Sequence, residues 1–467
     1  MNVLGIVITD GVGYRNFLMS NFFKEVVHKF DKVIIYSGLP KAIYKFDDSI
    51  SSLQSIEIRE LQVFREPHKT WFFRKLKEVA HMTLHKDYYG INDALKLGYP
   101  TKNTKKGLVT KLIYTIANLF HSEKNIQWYE YLQFSSFKKH AVTESYLEFL
   151  KQDTPNQLFF THQRPPYLAP LLASAKKLKI KTISFIFSWD NLASKGRMLG
   201  TFDGYMVWSE LMKKELIYFY PEVKENQIKV IGTPQFEPYV MEEYKIDKLN
   251  FYKKFGLDIN KKIICYSCAD SSIGKNDEVH IRGVLSYIKK QDTNKIQLLV
   301  RTSPAEDGKR FRVLKNEFPE VKWNIPKWIL TRDNHVESWS QRLPSYEDVI
   351  DLKSILSYAD VNVNMCSTMS LDFMLFDKPV INTVFGNKSN NLYDDQRFLN
   401  YLHYKYVIDS KGVTIAKNEK ELHQQLNEAL TNPELRKIFR QNLIKLEISK
   451  SLKGTSKRIV KALKEFA

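Results

Sequence analysis

Cysteine is scarce: Cys265, Cys268 and Cys366 are the only three in 467 residues, too few for a disulfide framework. Cys265 and Cys268 make a CxxC pair, but a structural zinc site needs a second ligand pair at comparable spacing, and the sequence offers none. No metal is expected. Glycine (18) and proline (16) are too few for a fibrous or low-complexity chain. No apolar run approaches the ~20 residues that span a bilayer. The first ten residues lack a basic n-region and read as a buried strand, not a signal peptide. A cytoplasmic protein is expected, with peripheral contact at the inner face of the cell membrane as a further option.

Acidic residues are outnumbered by 71 to 52, leaving a net charge of +19. The excess is concentrated. Arg65 to Lys124 holds 12 Lys and Arg against 5 Asp and Glu, and Glu434 to Ala467 holds 10 against 3. Such a surface attracts nucleic acid, anionic lipid or an anionic glycan. Neither stretch carries an RNA-recognition pattern or a zinc-finger spacing, so nucleic acid is disfavoured. Hydrophobic residues at 43% and charged residues at 26% are the balance of a globular chain.

What is present is a series of short branched apolar runs. Val3 to Ile8 ends in Thr9-Asp10-Gly11-Val12-Gly13, which predicts a buried strand, a turn and a helix over about 16–29. A second strand follows at 32–36, completing a βαβ unit. Further strands are expected at 157–160, 182–187, 204–207 and 229–231. A second series runs through 263–266, 297–300, 321–323, 361–364 and 380–383. The polar, tyrosine-rich stretch between the two series suggests two α/β domains, 1–235 and 236–435. The first contains a helical, basic insertion near 65–150. A basic C-terminal helix over 436–467 is expected to pack back on the first domain.

In the insertion, Leu108, Leu112, Ile116 and Phe120 recur every four residues beside Lys105, Lys106 and Lys111. Apolar stripes usually face a core. The alternative is an amphipathic element lying on a membrane surface.

Three segments carry candidate chemistry. Val361 and Val363 lead into Ser367-Thr368, which can cap a helix running to Phe376. A strand feeding a capped helix offers free N–H groups and a positive dipole end to a pyrophosphate. Asp372, five residues beyond Ser367, is placed to hold a ribose. The second segment is Phe185 to Arg197, a strand that empties into Trp189, Asp190, Asn191, Lys195 and Arg197 at the end where α/β sites form. The third is Asp10, Gly11 and Gly13 after the first strand, where glycines permit close approach of a ligand.

Taken in order, Gly232-Thr233-Pro234, Leu298 to Pro304 with its Arg301, the amphipathic Ser345 to Asp360 and the Ser367-Thr368 helix resemble the GT-B glycosyltransferases. The likeness is to bacterial surface-polysaccharide (capsule or O-antigen) enzymes and the related CDP-polyol phosphotransferases. The family's Arg-x-His-Pro has Ser303 in place of His, and its helix carboxylate, often Glu, is Asp372. The resemblance implies two Rossmann-like domains whose parallel sheets face an interdomain cleft. It implies a nucleotide-sugar donor as substrate, no cofactor, and metal-independent transfer to a surface glycan or lipid-linked acceptor. Carried over by position, Arg301, Ser271, Ser272, Ser367, Thr368 and Asp372 would hold the donor. The Trp-Asp-Asn and Lys-Gly stretch makes Asp190 the first candidate for a general base. His162, at the end of the preceding strand, is the second. Lys195 and Arg197 would neutralise the leaving diphosphate or bind an anionic acceptor. Alternatives are CDP-polyol (glycerol or ribitol type) phosphotransfer and a non-catalytic glycan-binding protein on the same scaffold. A sugar-nucleotide 2-epimerase also shares the fold, but would need an internal acid/base constellation that the sequence alone does not reveal.

Overall fold

The six residues Val3–Ile8 (β1) are all buried, as expected for a parallel strand covered on both faces. β1 is an interior strand of a seven-stranded parallel sheet with β2 (Lys32–Ser37), β3 (Ile56–Glu60), β4 (Gln157–Phe160), β5 (Lys181–Phe185), β6 (Gly204–Val207) and β7 (Ile228–Val230). The order is β3-β2-β1-β4-β5-β6-β7. A second parallel sheet holds β8 (Lys262–Ser267), β9 (Ile296–Arg301), β10 (Lys322–Asn324), β11 (Val361–Asn364), β12 (Val380–Thr383) and β13 (Thr414–Ala416). Its order is β10-β9-β8-β11-β12-β13. Both sheets therefore repeat the 3-2-1-4-5-6 winding of a Rossmann domain, which reverses direction beside its first strand.

The computed structural model describes residues 1–46, 56–271, 273–291, 295–333, 335, 337–386 and 395–466. The chain divides into two compact units. Unit 1 comprises Met1–Glu237, Leu330–Gln341 and Ser449–Ala467, and unit 2 comprises Pro238–Ile329 and Arg342–Ile448. The core of unit 2 joins Ile264, Tyr266, Val300, Val361 and Val363 of the sheet to Leu422 and Leu426. Each such side chain contributes roughly 1.5–3 kcal/mol by leaving water.

Several expectations are corrected. The strands β3 and β13 add to those read from sequence. Ile56-Glu-Ile-Arg-Glu alternates apolar and charged, as a half-covered edge strand does, whereas Thr414–Ala416 is too short to show a period. The helix expected over 16–29 is two, Gly11–Leu18 and Phe22–Val26. Asp10 caps the first early, and the Ser20 hydroxyl accepts the Phe22 N–H where the chain breaks. The single C-terminal helix expected over 436–467 is also two, Lys437–Glu447 and Thr455–Phe466. Ser449 and Gly454 between them adopt left-handed φ values of 58° and 80°, which no helix continues. The second of these helices belongs to unit 1, where Arg458 donates to the Ile231 carbonyl at 2.9 Å and the Ser456 N–H donates to Glu237 at 3.1 Å.

Glu215, on the helix Glu210–Phe219, is buried, and burial pushes its carboxyl up to about 8. A carboxyl raised in the folded state keeps its proton longer than in the unfolded chain, so stability falls as pH rises from the ordinary value through 8. Glu215→Gln removes that slope. Its gain over wild type at pH 8 is on the order of 3 kcal/mol, read as the difference between urea midpoints at pH 5 and pH 8.

Candidate functional site

In unit 1 the titratable groups gather beyond the C-terminal ends of β1 and β4. These strands pair in parallel with Val7 opposite Phe160, so Asp10 and His162, three and two residues further on, emerge side by side. Gly13 makes the close approach possible: a Cβ there would stand 3.1 Å from the Thr161 hydroxyl. Asp10 is the N-cap of the helix Gly11–Leu18, accepting the Gly13 N–H at 2.7 Å through Oδ1. Its Oδ2 accepts the Thr9 hydroxyl and lies 3.2 Å from His162 Nδ1. Asp10, Gly11 and Gly13 are thus a capped helix start, not an open glycine loop.

Burial alone would raise the Asp10 pKa, but the bonds from His162, Thr9 and Gly13 outweigh it and hold the group below the usual carboxylate value. For His162, burial pushes the pKa down against the pull of Asp10, and Arg164 adds to the fall. The imidazole is therefore neutral at neutral pH. An ionised carboxylate only accepts, so Nδ1 carries the hydrogen and Nε2 keeps its lone pair. The ring is clamped on Phe187, with centroids 3.9 Å apart and planes 18° from parallel.

A third group comes from a distant part of the chain. Glu337 lies in the Leu330–Gln341 segment of unit 1. In the same segment the His335 ring packs against Tyr167 at 5.1 Å and the Trp339 ring meets His162 at 6.4 Å. Among the described residues nothing hydrogen-bonds to the buried Glu337 Oε2. Burial, then the charge of Asp10, pushes Glu337 up to about 7. The neutral, oriented imidazole and the Glu337 carboxyl, which holds its proton to higher pH than an ordinary carboxyl does, both belong to unit 1. Sequence reasoning missed Glu337, which sits outside any strand or helix pattern. It weighed Asp10 and His162 separately.

Asp190, the first candidate base, is on the neighbouring loop after β5. Its carboxylate accepts from the Ser188 hydroxyl at 2.6 Å and Asn191 Nδ2 at 3.1 Å, and Lys195 Nζ is 3.5 Å away. Asn191 Oδ1 accepts from Gln163, which ties this loop to the one bearing His162. Trp189 is buried, and Lys195 keeps 44% of its side chain exposed. Arg197 is not presented to a ligand anion as expected. It is buried, bonded to Glu123 and Glu222 at 2.6 Å each, and stacked over Tyr220.

In unit 2 the donor candidates stand as follows. Arg301 is 4% exposed, bonded to Asn324 and 2.9 Å from Asp348, so its charge is taken up inside the unit. Asp372 is buried and accepts the Tyr239 hydroxyl. Ser367 Oγ accepts the Met369 N–H at 3.2 Å, while the Thr368 side chain makes no cap bond. The helix expected to reach Phe376 spans only Met369–Met374, because Asp377 turns left-handed at φ 56°. Ser271 is in an exposed turn and its carbonyl accepts from Lys275. Ser272 lies outside the described residues. An amide network that sequence reasoning overlooked holds the Ser367 turn. Asn364 Oδ1 accepts from the Ser367 N–H at 2.9 Å and from Asn382 at 3.1 Å, and Tyr404 donates to Asn382 at 2.8 Å. Asparagines alternating with valine in β11 were the available signal, since strands are depleted in Asn.

No protein-family model matches the sequence, and no curated protein does. Solved structures do. The S. aureus MnaA–UDP structure is 10% identical, with a TM-score of 0.54, covering 100% of this chain and 97% of that one. A UDP-GlcNAc 2-epimerase from Neisseria meningitidis bound to UDP-GlcNAc is 11% identical, with a TM-score of 0.53, covering 100% of both chains. WaaG, a glycosyltransferase involved in lipopolysaccharide biosynthesis, is 11% identical at a TM-score of 0.47, covering 98% and 99%. The first two establish the fold, two Rossmann-like α/β domains of the GT-B class.

Proposed function

We propose that this chain is a GT-B enzyme that takes a nucleotide-activated sugar and transfers the sugar to a hydroxyl of a surface glycan or lipid-linked acceptor. The observation that carries the reading is the Asp10–His162 pair at the C-terminal edge of the first sheet, where α/β proteins build their sites. His162 Nε2 takes the acceptor proton as the acceptor oxygen bonds to the anomeric carbon. The bond from that carbon to the diphosphate oxygen breaks, and the nucleoside diphosphate leaves with the electron pair. Asp10 holds the imidazole in the required tautomer and stabilises the imidazolium.

Epimerisation of the sugar at C2 is the second reading, and Glu337 favours it. A proton removed from one face of a sugar and returned to the other calls for two titratable groups, and Glu337, whose carboxyl feels the charge of Asp10, is the second on this reading.

A thermal-shift screen against UDP, GDP, CDP, CMP and dTDP comes first. A ligand at 100 times its dissociation constant adds about 2.7 kcal/mol to the native state. UDP-GlcNAc in deuterated buffer then separates the readings. Deuterium entering at C2 without acceptor identifies epimerisation, and UDP release that depends on an added acceptor alcohol identifies transfer. A CDP response alone moves the assignment to polyol-phosphate transfer. Silence from every nucleotide, with no turnover, overturns the enzymatic reading in favour of a glycan-binding protein.

A further inference from the structure

The helix Lys105–Leu119 of unit 1 turns its leucines outward. Its inward face is Gly107, Thr110, Ile113, Tyr114 and Ala117, all buried. Leu108, Leu112 and Leu119 fall within about 40° of one another on the opposite side of a 3.6-residue helix. They are 55%, 52% and 70% exposed. Phe120, just past the helix, is 55% exposed, and Leu97 shortly before it 69%. The core-facing stripe expected from the sequence is therefore on the wrong side of the helix. Single exposed leucines are ordinary, but an apolar band along a whole helix marks a surface that something covers.

Charge selects the cover. Between Asp93 and Glu123 the chain has no acidic residue and five lysines: Lys96, Lys102, Lys105, Lys106 and Lys111. Among the described residues none of the five pairs with a carboxylate. Lys106 lies over the Trp71 ring at 5.7 Å, and Lys111 donates to the Asn103 side chain. Beside the helix is a cavity of about 460 Å³ lined in part by Lys102 and Lys106, together with Arg74 and Lys75, whose charges Glu66 and Glu78 already take up. An apolar band bordered by long-stemmed cations matches a lipid interface, where the stems follow the acyl boundary and the ammonium groups meet phosphate. No helix among the described residues is long and apolar enough to cross a membrane, so the contact is one of lying on the surface.

We propose that the helix Lys105–Leu119 docks this chain on a bilayer rich in anionic phospholipid. Leu108, Leu112 and Leu119 enter the acyl boundary, and Lys102, Lys105, Lys106 and Lys111 sit at the phosphates. The inference is independent of the enzymatic reading.

Vesicle flotation of the full chain tests it, with phosphatidylcholine alone against equal parts phosphatidylcholine and phosphatidylglycerol, at low and high salt. The chain is expected to float with the phosphatidylglycerol vesicles and to be released as salt rises. Leu108→Gln with Leu112→Gln weakens partitioning at least tenfold. Lys105→Gln with Lys106→Gln weakens it about fivefold per lysine. All four positions are exposed, so matched melting curves are expected for both variants. Failure to float with anionic vesicles overturns the proposal, as does floating that both variants retain. So does self-association in sedimentation that the leucine variant abolishes and anionic vesicles do not compete away, since a second copy would then cover the face.

Discussion

Replacing His162 by Gln lowers turnover by about 10²- to 10⁴-fold while nucleotide binding is retained. The side chain is clamped on Phe187 and bonded to Asp10, so it cannot swing aside, and Nε2 supplies its only free lone pair. Gln cannot accept and release a proton. Asp10→Asn is the sharper variant. Asparagine caps a helix as well as aspartate does, so the bond from the Gly13 N–H and the melting temperature survive. What disappears is the negative charge that orients His162 and stabilises its protonated form, and turnover falls with it. The wild-type rate climbs as pH rises through the lowered His162 pKa, because only the neutral ring is a base. In Asp10→Asn that limb moves to lower pH, since the carboxylate no longer favours the charged ring. Turnover close to wild type in both variants, measured by nucleoside diphosphate release, would remove this pair from the mechanism. Nucleotide affinity lost in step with turnover would make it a binding element.

Arg301→Met is expected to destabilise the protein by about 3–5 kcal/mol, the cost of stranding a buried charge. In a unit of this size that is roughly a 10 °C fall in melting temperature. The guanidinium links the end of β9 to Asn324 on β10 and to Asp348 on the helix Tyr346–Tyr358, and Asp348 also accepts from Trp328 Nε1 at 2.8 Å. Burial works against the Arg301 charge, but Asp348 outweighs it and raises the pKa. Removing the arginine leaves Asp348 buried without its cation. Removing both, in Arg301→Met with Asp348→Leu, recovers most of the loss, as replacing a whole buried pair usually does. Calorimetry of the single and double variants decides the matter. A donor-phosphate role for Arg301 predicts the opposite signature, an unchanged apo melting temperature with weakened nucleotide binding.

These two residues show how far a sequence carries such an argument. The parallel sheets were legible because each buried strand is a branched apolar run ended by turn residues. The ends of those strands then named Asp10, His162 and Asp190 as candidates. Choosing among them required knowing that β1 lies against β4, which brings Asp10 to His162 across 152 residues, and no local pattern reports that. Arg197 and Arg301 read as cations for a phosphate because their carboxylate partners, Glu123, Glu222 and Asp348, are distant in sequence. The helix Lys105–Leu119 misled for another reason. It carries apolar residues on two faces, and the spacing of four fits Leu108 and Leu112 as well as it fits Ile113 and Ala117.

The order in which the chain enters and leaves each unit bears on its birth at the ribosome. Unit 2 has all of its residues once Ile448 has emerged, whereas unit 1, begun at the first strand, still lacks Ser449 onward. What it lacks is substantial: the helix Thr455–Phe466 buries Ile459, Val460, Leu463 and Phe466, and the Phe466 ring fills the space beside Gly204. From about residue 230 to residue 455, roughly half of the sequence, the nascent chain holds the seven strands of unit 1 without that cover, and until residue 337 has emerged it also lacks the Glu337 carboxyl. The first unit to appear is the last to be finished.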